Sequence, residues 1–241
     1  MRISSTSLHG KNALVTGVNG GLGHAIAQLL AEQGCSVIVT SRNLQKLEES
    51  AQDLRKSNAR IEAIPADLSA HREVEALIEK SLKTFPTIDI LVNCAGIFPV
   101  GSIADATLDD FDLCFAVNVR AAFQLTKAFL PQMRAQGWGR VVNIGSSSAF
   151  SGFKDTSIYC ASKHALLGLS RSLFHEVRGE GVRVLSINPG SIRTEMGKKV
   201  RGQKYETFLD PVEVAQYVIF SLAFDAELIG EEIRLNRVIT Q

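Results

Sequence analysis

Five short apolar runs restrict the fold more than any other feature of this chain: ALVTG (13–17), SVIVTSR (36–42), IDILVN (88–93), RVVNIGS (140–146) and VRVLSIN (182–188). None shows the apolar–polar alternation of a strand with one wet face, so each reads as a strand covered on both sides. Stretches of helical periodicity lie between them. In GLGHAIAQLLAEQG, Leu22, Ile26, Leu29 and Leu30 share one face, and Gly34 supplies a C-terminal stop. The pattern also predicts a polar helix from about Leu44 to Lys56, a strand near Ile61 to Ile64 and an amphipathic helix near Val74 to Leu82. Further helices are expected over about Leu108 to Gln136 and Ser157 to Arg178. Doubly covered strands separated by helices specify an α/β architecture, a doubly wound parallel sheet with helices on both faces. Without repeats, low-complexity tracts or a linker-like shift in composition, residues 1–241 read as one domain preceded by a flexible arm over 1–10.

Charge removes several functional classes. The 26 basic and 25 acidic side chains leave a formal net charge of +1, so no overall field draws the chain to nucleic acid or to an anionic membrane. Cys35, Cys94, Cys114 and Cys160 stand singly in apolar stretches and read as reduced, buried thiols. The five histidines form no HxxxH or HExxH pattern, so no metal is expected. No signal-peptide core opens the chain, and no apolar run reaches the roughly 20 residues of a membrane span. The expected location is the cytoplasm.

The turn after the first run, TGVNGGLG (16–23), places Gly17, Gly21 and Gly23 between a strand and an amphipathic helix. Glycines there allow positive φ and let a pyrophosphate approach the N–H groups of a helix N-terminus. An ordinary strand-to-helix turn is the alternative. Sheets that bind NAD this way usually carry an acidic residue about 20 residues on, for the ribose 2′-hydroxyl. Here Ser41, Arg42 and Asn43 stand at that point. A guanidinium suits a 2′-phosphate, which favours NADPH over NADH, unless Arg42 is merely a solvated loop residue. Tyr159 and Lys163, four residues apart in YCASK, lie one above the other on a helix, as a surface pair or as a working acid and its partner.

TGVNGGLG and YCASK together resemble the short-chain dehydrogenase/reductase family in its single-domain branch, and the likeness runs over nearly the whole chain. The family implies a Rossmann fold and an NAD(P)-dependent oxidoreductase acting on a carbonyl or secondary alcohol. Asp67 in PADLS, with Leu68 beside it, resembles the aspartate at the adenine ring, and VNCAG resembles the NNAG stretch through Asn93, Ala95 and Gly96. Asn118 in AVNVR matches the asparagine of the catalytic set, and Ser146 in NIGSSSAF lies 13 residues before Tyr159. In NPGSIRT, Pro189, Gly190, Ile192 and Thr194 match the segment bordering the nicotinamide. Asn19, Leu22 and Ser41 join the cofactor residues of the first turn and second strand. The resemblance also implies a homotetramer or homodimer built through the two long helices, and a substrate lid over about 191–210. The C-terminal EEIRLNRVITQ departs from the VDGG of many relatives.

The implied chemistry explains the residue types. Reduction leaves an alkoxide-like oxygen that must receive a proton, and free tyrosine, with a pKa of about 10, holds its proton tightly. An ammonium about 4 Å away would favour tyrosinate by up to ~4 kcal/mol at an effective dielectric of about 20. The expectation is therefore that Lys163 lowers the pKa of Tyr159 by up to about three. Ser146 would bond the substrate oxygen, Lys163 the nicotinamide ribose, and Asn118 would complete a water-mediated proton relay. Arg193, Lys198, Lys199, Arg201 and Lys204 make the lid basic, as a solvated loop or as a site for an acidic or carrier-linked substrate such as a 3-oxoacyl thioester, in the manner of a 3-oxoacyl carrier-protein reductase. Phe150, Phe153 and Met196 are candidates for an apolar pocket. Asp109 and Asp110 after Thr107 read as helix capping. A nucleophile elbow at Gly145 fails, because Ala149 stands where it needs glycine. Two rivals remain: a catalytically silent NADP-binding sensor, and a sugar-nucleotide epimerase for whose substrate domain the C-terminal region is short.

Overall fold

The computed structural model describes residues 7–224 and 230–238. A single seven-stranded parallel sheet runs in the order β3-β2-β1-β4-β5-β6-β7. Its strands are β1 (Asn12–Thr16), β2 (Ser36–Thr40), β3 (Ile61–Ala63), β4 (Ile90–Asn93), β5 (Gly139–Ile144), β6 (Val182–Pro189) and β7 (Glu232–Leu235). The crossovers carry α1 (Gly21–Glu32), α2 (Leu44–Arg55), α3 (His71–Thr84), α4 (Leu108–Phe115), α5 (Ala121–Gln136), α6 (Ser157–Val177) and α7 (Pro211–Ala223). The chain winds outward from β1 to β3, returns to the other side of β1 at β4, and winds outward again to β7. That reversal opens a crevice at the carboxyl ends of β1 and β4, where open α/β sheets bind ligands.

The apolar runs form strands because both of their faces are buried. Successive side chains alternate between faces. Val15, Val39, Val92 and Val142 pack with residues of α1, α2 and α7. Leu14, Ile38, Leu91 and Val141 pack with residues of α3, α5 and α6. Thr107 and Asp110 form the expected capping box at the start of α4, each side chain bonding the other's backbone N–H.

Four details differ from the sequence reading. The helix α7 and the edge strand β7 were not anticipated. For α7 the signals are present, with Asp210 at the N-cap, Pro211 at its first position, and Val214, Val218 and Leu222 buried. Second, the helix expected over 108–136 contains a π-helical turn, Ala116–Arg120, which carries Asn118. Third, that whole stretch is long and apolar enough to cross a membrane by length and composition, but half of its apolar window is buried inside the fold, as in a core helix. Fourth, the end of the presumed flexible arm is held in place. Leu8 is buried, its carbonyl accepts the Lys11 N–H at 3.1 Å, and Gly10 N–H bonds Gly34 O at 3.0 Å. Residues 1–6 lie outside the described residues.

Because Leu8 packs with the core residues of the α1 layer, Leu8→Ala is expected to destabilise the protein by ~2–3 kcal/mol in urea unfolding. A change within about 0.5 kcal/mol, as for an exposed arm, would contradict the packing.

Candidate active site

The crevice at the reversal is a cleft of about 990 Å³. One end is built by the turn after β1. Gly17 has φ +76°, and a Cβ there would lie 2.7 Å from Ala95 Cα, so the turn can approach the loop after β4 only with glycine. Thr16 secures the approach, its Oγ1 accepting the N–H groups of Cys94 and Ala95 at 3.0 Å each. A Cβ on Gly23 would meet Gly17 O at 2.4 Å, which keeps α1 tight against the turn. The N-cap of α1, Gly20, offers no side-chain cap, and no acidic residue occupies the first turn. These N-terminal N–H groups therefore face the cleft with the positive end of the helix dipole behind them, a suitable cradle for a pyrophosphate.

Asn19, Gly21, Leu22, Gly23, Ser41, Arg42, Asp67 and Leu68 line this end. The Asn19 amide donates to Ser41 Oγ at 2.5 Å, tying the first turn to the end of β2. Arg42 is exposed beside Asp67. Burial raises the Asp67 carboxyl, but the Ser69 side chain and backbone N–H, with the charge of Arg42, outweigh it and hold the group below the usual carboxylate range. An acceptor at Asp67 and a forked cation at Arg42 fit the adenosine half of a phosphorylated dinucleotide.

Ser146, Tyr159 and Lys163 meet at the middle of the cleft. Ser146 follows β5, and Tyr159 and Lys163 come from the first turns of α6. Ser146 faces the Tyr159 hydroxyl closely enough to lower its pKa, and the Tyr159 ring packs edge-on against Phe98 with centroids 4.7 Å apart. Lys163 donates to Ile144 O at 2.8 Å, and its ammonium lies 5.7 Å from the Tyr159 ring centroid. A Cβ on Gly96 would crowd Asn118 Oδ1 at 3.3 Å, while Lys163 Nζ would stand at ordinary contact distance, 3.8 Å away. Ala95, Gly96, Pro189, Gly190, Ile192 and Thr194 line the same stretch.

The expected effect of the lysine is overturned. Burial pushes Tyr159 up to about 12, against a lowering by Ser146. Burial also brings Lys163 down to about 8. Desolvation is the largest cause at both groups, favouring a neutral tyrosine and weakening the lysine's hold on its proton.

Asn93 and Asn118 lie behind the wall, on a separate void of about 10 Å³. Asn93 shares the strand face of Leu91, and its amide donates to Asn143 Oδ1, its registered neighbour on β5, at 2.8 Å. It is not a cleft residue. Asn118 accepts from Ile97 N–H at 2.8 Å and donates to Ile97 O and Ser162 Oγ at 3.0 Å each. With both amide ends engaged, its side chain holds the loop after β4.

At the other end, Phe98, Val100, Leu113, Val117, Phe153 and Met196 supply apolar surface. Phe150 does not join them, because its ring lies under the guanidinium of Arg234, 3.4 Å from the centroid. The sequence reading missed Thr16, Ser162 and Gln203. Thr16 had a signal, a polar residue closing a fully apolar strand; the other two had none.

Residues 11–205 match the short chain dehydrogenase family. An uncharacterized oxidoreductase of Staphylococcus haemolyticus is 34% identical over 235 residues, 97% of this chain and 100% of the relative. Among solved structures, a putative NAD(P)-dependent gluconate 5-dehydrogenase from Beutenbergia cavernae with bound NADP is 31% identical, with a TM-score of 0.87 over 95% of this chain and 96% of that one. L-Sorbose reductase from Gluconobacter frateurii, complexed with NADPH and L-sorbose, is 28% identical, with a TM-score of 0.87 over 98% and 97%. The chain thus belongs to the short-chain dehydrogenase family of NAD(P)-dependent oxidoreductases.

The burial of Lys163 has a measurable pH signature. The folded chain releases this proton near pH 8 and the unfolded chain near its ordinary 10.5. Between them the unfolded state binds more protons, so this group makes stability rise with pH. In urea titrations from pH 8 to about 9.5, wild type is expected to gain stability relative to Lys163→Met. Parallel curves would contradict a depressed lysine.

Proposed function

We propose that the protein is an NADPH-dependent reductase of a small ketone, and the reverse dehydrogenase of the matching secondary alcohol. The observation that carries this reading is the convergence of Ser146, Tyr159 and Lys163 in the wall of a cleft whose other end offers an uncapped helix N-terminus and Arg42. The nicotinamide, when bound, supplies the hydride. Tyr159 gives its phenolic proton to the carbonyl oxygen, and Ser146 Oγ donates to the same oxygen, which stabilises the charge that develops there. Lys163 would hold the ribose hydroxyls. Burial keeps Tyr159 protonated, its pKa pushed up to about 12, so the proton it gives is present at neutral pH. Bound NADP in the gluconate dehydrogenase relative and NADPH in the sorbose reductase support the choice of cofactor.

A 3-oxoacyl thioester is the second substrate class, favoured by Lys154, Lys199 and Arg201 in the cleft lining. A silent NADP sensor has less support, since it has no use for a proton donor placed at Ser146. We infer also that the chain forms a homodimer or homotetramer, because Leu108, Phe111 and Phe123 on α4 and α5 expose apolar side chains.

Three measurements test this reading. NADPH oxidation across a panel of hydroxyketones, simple ketones and acetoacetyl thioesters is expected in wild type and to fall about a hundredfold or more in Tyr159→Phe. Turnover retained by that variant would remove Tyr159 from the chemistry, and cofactor binding without turnover on any substrate would favour the sensor. Arg42→Ala should raise KM for NADPH about tenfold and leave NADH nearly unchanged; equal effects would deny Arg42 its role with the 2′-phosphate. In sedimentation, Phe123→Asp should yield a smaller species than wild type, and a monomeric wild type would refute self-association.

A further inference from the structure

The lid over 191–210 is fastened by a residue far along the chain. Arg237, two residues beyond β7, donates through Nη1 to Thr207 Oγ1 and through Nη2 to Gln203 Oε1, both at 2.8 Å. Its guanidinium stands over the buried ring of Phe208, 5.3 Å from the centroid. The segment is anchored at the sheet, where Leu235 O accepts the Gly190 N–H at 2.9 Å. Gln203 Oε1 also accepts from Ser191 Oγ at 3.1 Å.

These contacts determine which way the Gln203 amide is turned. A guanidinium has donors and no acceptor, so the amide atom that meets Arg237 must be the oxygen. Two donors then occupy that oxygen's two lone pairs. The Nε2 hydrogens, which no described residue accepts, are open to solvent in an exposed side chain that borders the cleft together with Ser191. A donor held in this orientation recognises an oxygen acceptor on the ligand.

We propose that Gln203 is a specificity-determining donor for ketones that carry a hydroxyl or carboxylate oxygen remote from the reacting carbonyl, and that Arg237 is the positioning residue that orients it. The proposal rests on the reductase reading above. Without Arg237 the amide can rotate and present its oxygen to the ligand, replacing an attraction with a repulsion between lone pairs. Loss of the arginine should therefore resemble loss of the glutamine.

The test compares kcat/KM for a hydroxyketone, an oxo-carboxylate and an unsubstituted ketone of the same length in wild type, Gln203→Leu, Arg237→Ala and Arg237→Lys. Gln203→Leu is expected to lose roughly five- to tenfold on the oxygenated ketone that wild type prefers, mainly through KM, and to change the unsubstituted ketone less than about twofold. Arg237→Ala should follow the same pattern, and Arg237→Lys should recover part of the loss. The hydroxyketone and oxo-carboxylate arms separate the two sources of the acceptor. A wild type that reduces all three ketones without preference overturns the inference alone, as does an equal loss across the panel in Gln203→Leu. A wild type idle on every ketone overturns the reductase reading and this inference with it. Independently of turnover, trypsin should cut Arg237→Ala faster than wild type at the exposed Lys198, Lys199, Arg201 and Lys204; unchanged cleavage would refute the fastening.

Discussion

The close approach of two backbones, at Gly17 and Ala95, is the contact on which the rest of the site depends. It brings the turn after β1 against the loop after β4, and Thr16 fixes the distance with one oxygen serving two N–H groups. From that loop the constraint passes to Ile97, which Asn118 holds at both N–H and C=O, and to Gly96, beside which Lys163 finds its place. The π-helical turn at Asn118 belongs to the same chain of cause. It interrupts a long helix where a side chain must reach back to a loop. The cofactor end and the reactive centre are therefore positioned by one packing decision at the reversal of the sheet.

Burial sets the protonation states that this positioning produces. Tyr159 and Lys163 both carry the cost of desolvation, and each relaxes toward its neutral form. The lysine's Coulomb effect, estimated from spacing alone, omitted that cost because burial is a property of the folded wall and not of a four-residue interval. The lysine's ammonium donates to Ile144 O. Positive charge delivered by an oxidised nicotinamide would act on the tyrosine in a setting where little water screens it.

What could be read in the sequence was what depends on local pattern. Strands such as SVIVTSR were legible because a parallel sheet buries both faces, and the order of strand and helix then specified the doubly wound architecture. Tyr159 and Lys163 were legible as a pair on one helix face, and Ser146 through the family resemblance that those motifs carry. Asn93 was not, since its direction follows from strand phase and from a partner on β5. β7 escaped notice because EIRL is short and half charged, and it becomes a strand only by pairing with β6. Gln203 and Arg237 meet across 34 residues of chain, a separation at which no motif joins them. The helix α7 was missed although Asp210 and Pro211 announce its start in the ordinary way.

The two outermost strands have a consequence for the protein's behaviour in concentrated solution. Among the described residues the sheet ends in an unpaired ladder along β3 and another along β7, and such ladders invite other chains to add on. Both strands are short, with three residues in β3 and four in β7. Glu62 stands at the centre of one, and Glu232 and Arg234 occupy the other. Glu232 is further engaged by Arg171 of α6, which draws the charge pair across the edge. The features that hid β7 from pattern reading, brevity and charge, are the same ones that guard the sheet against strand-by-strand aggregation.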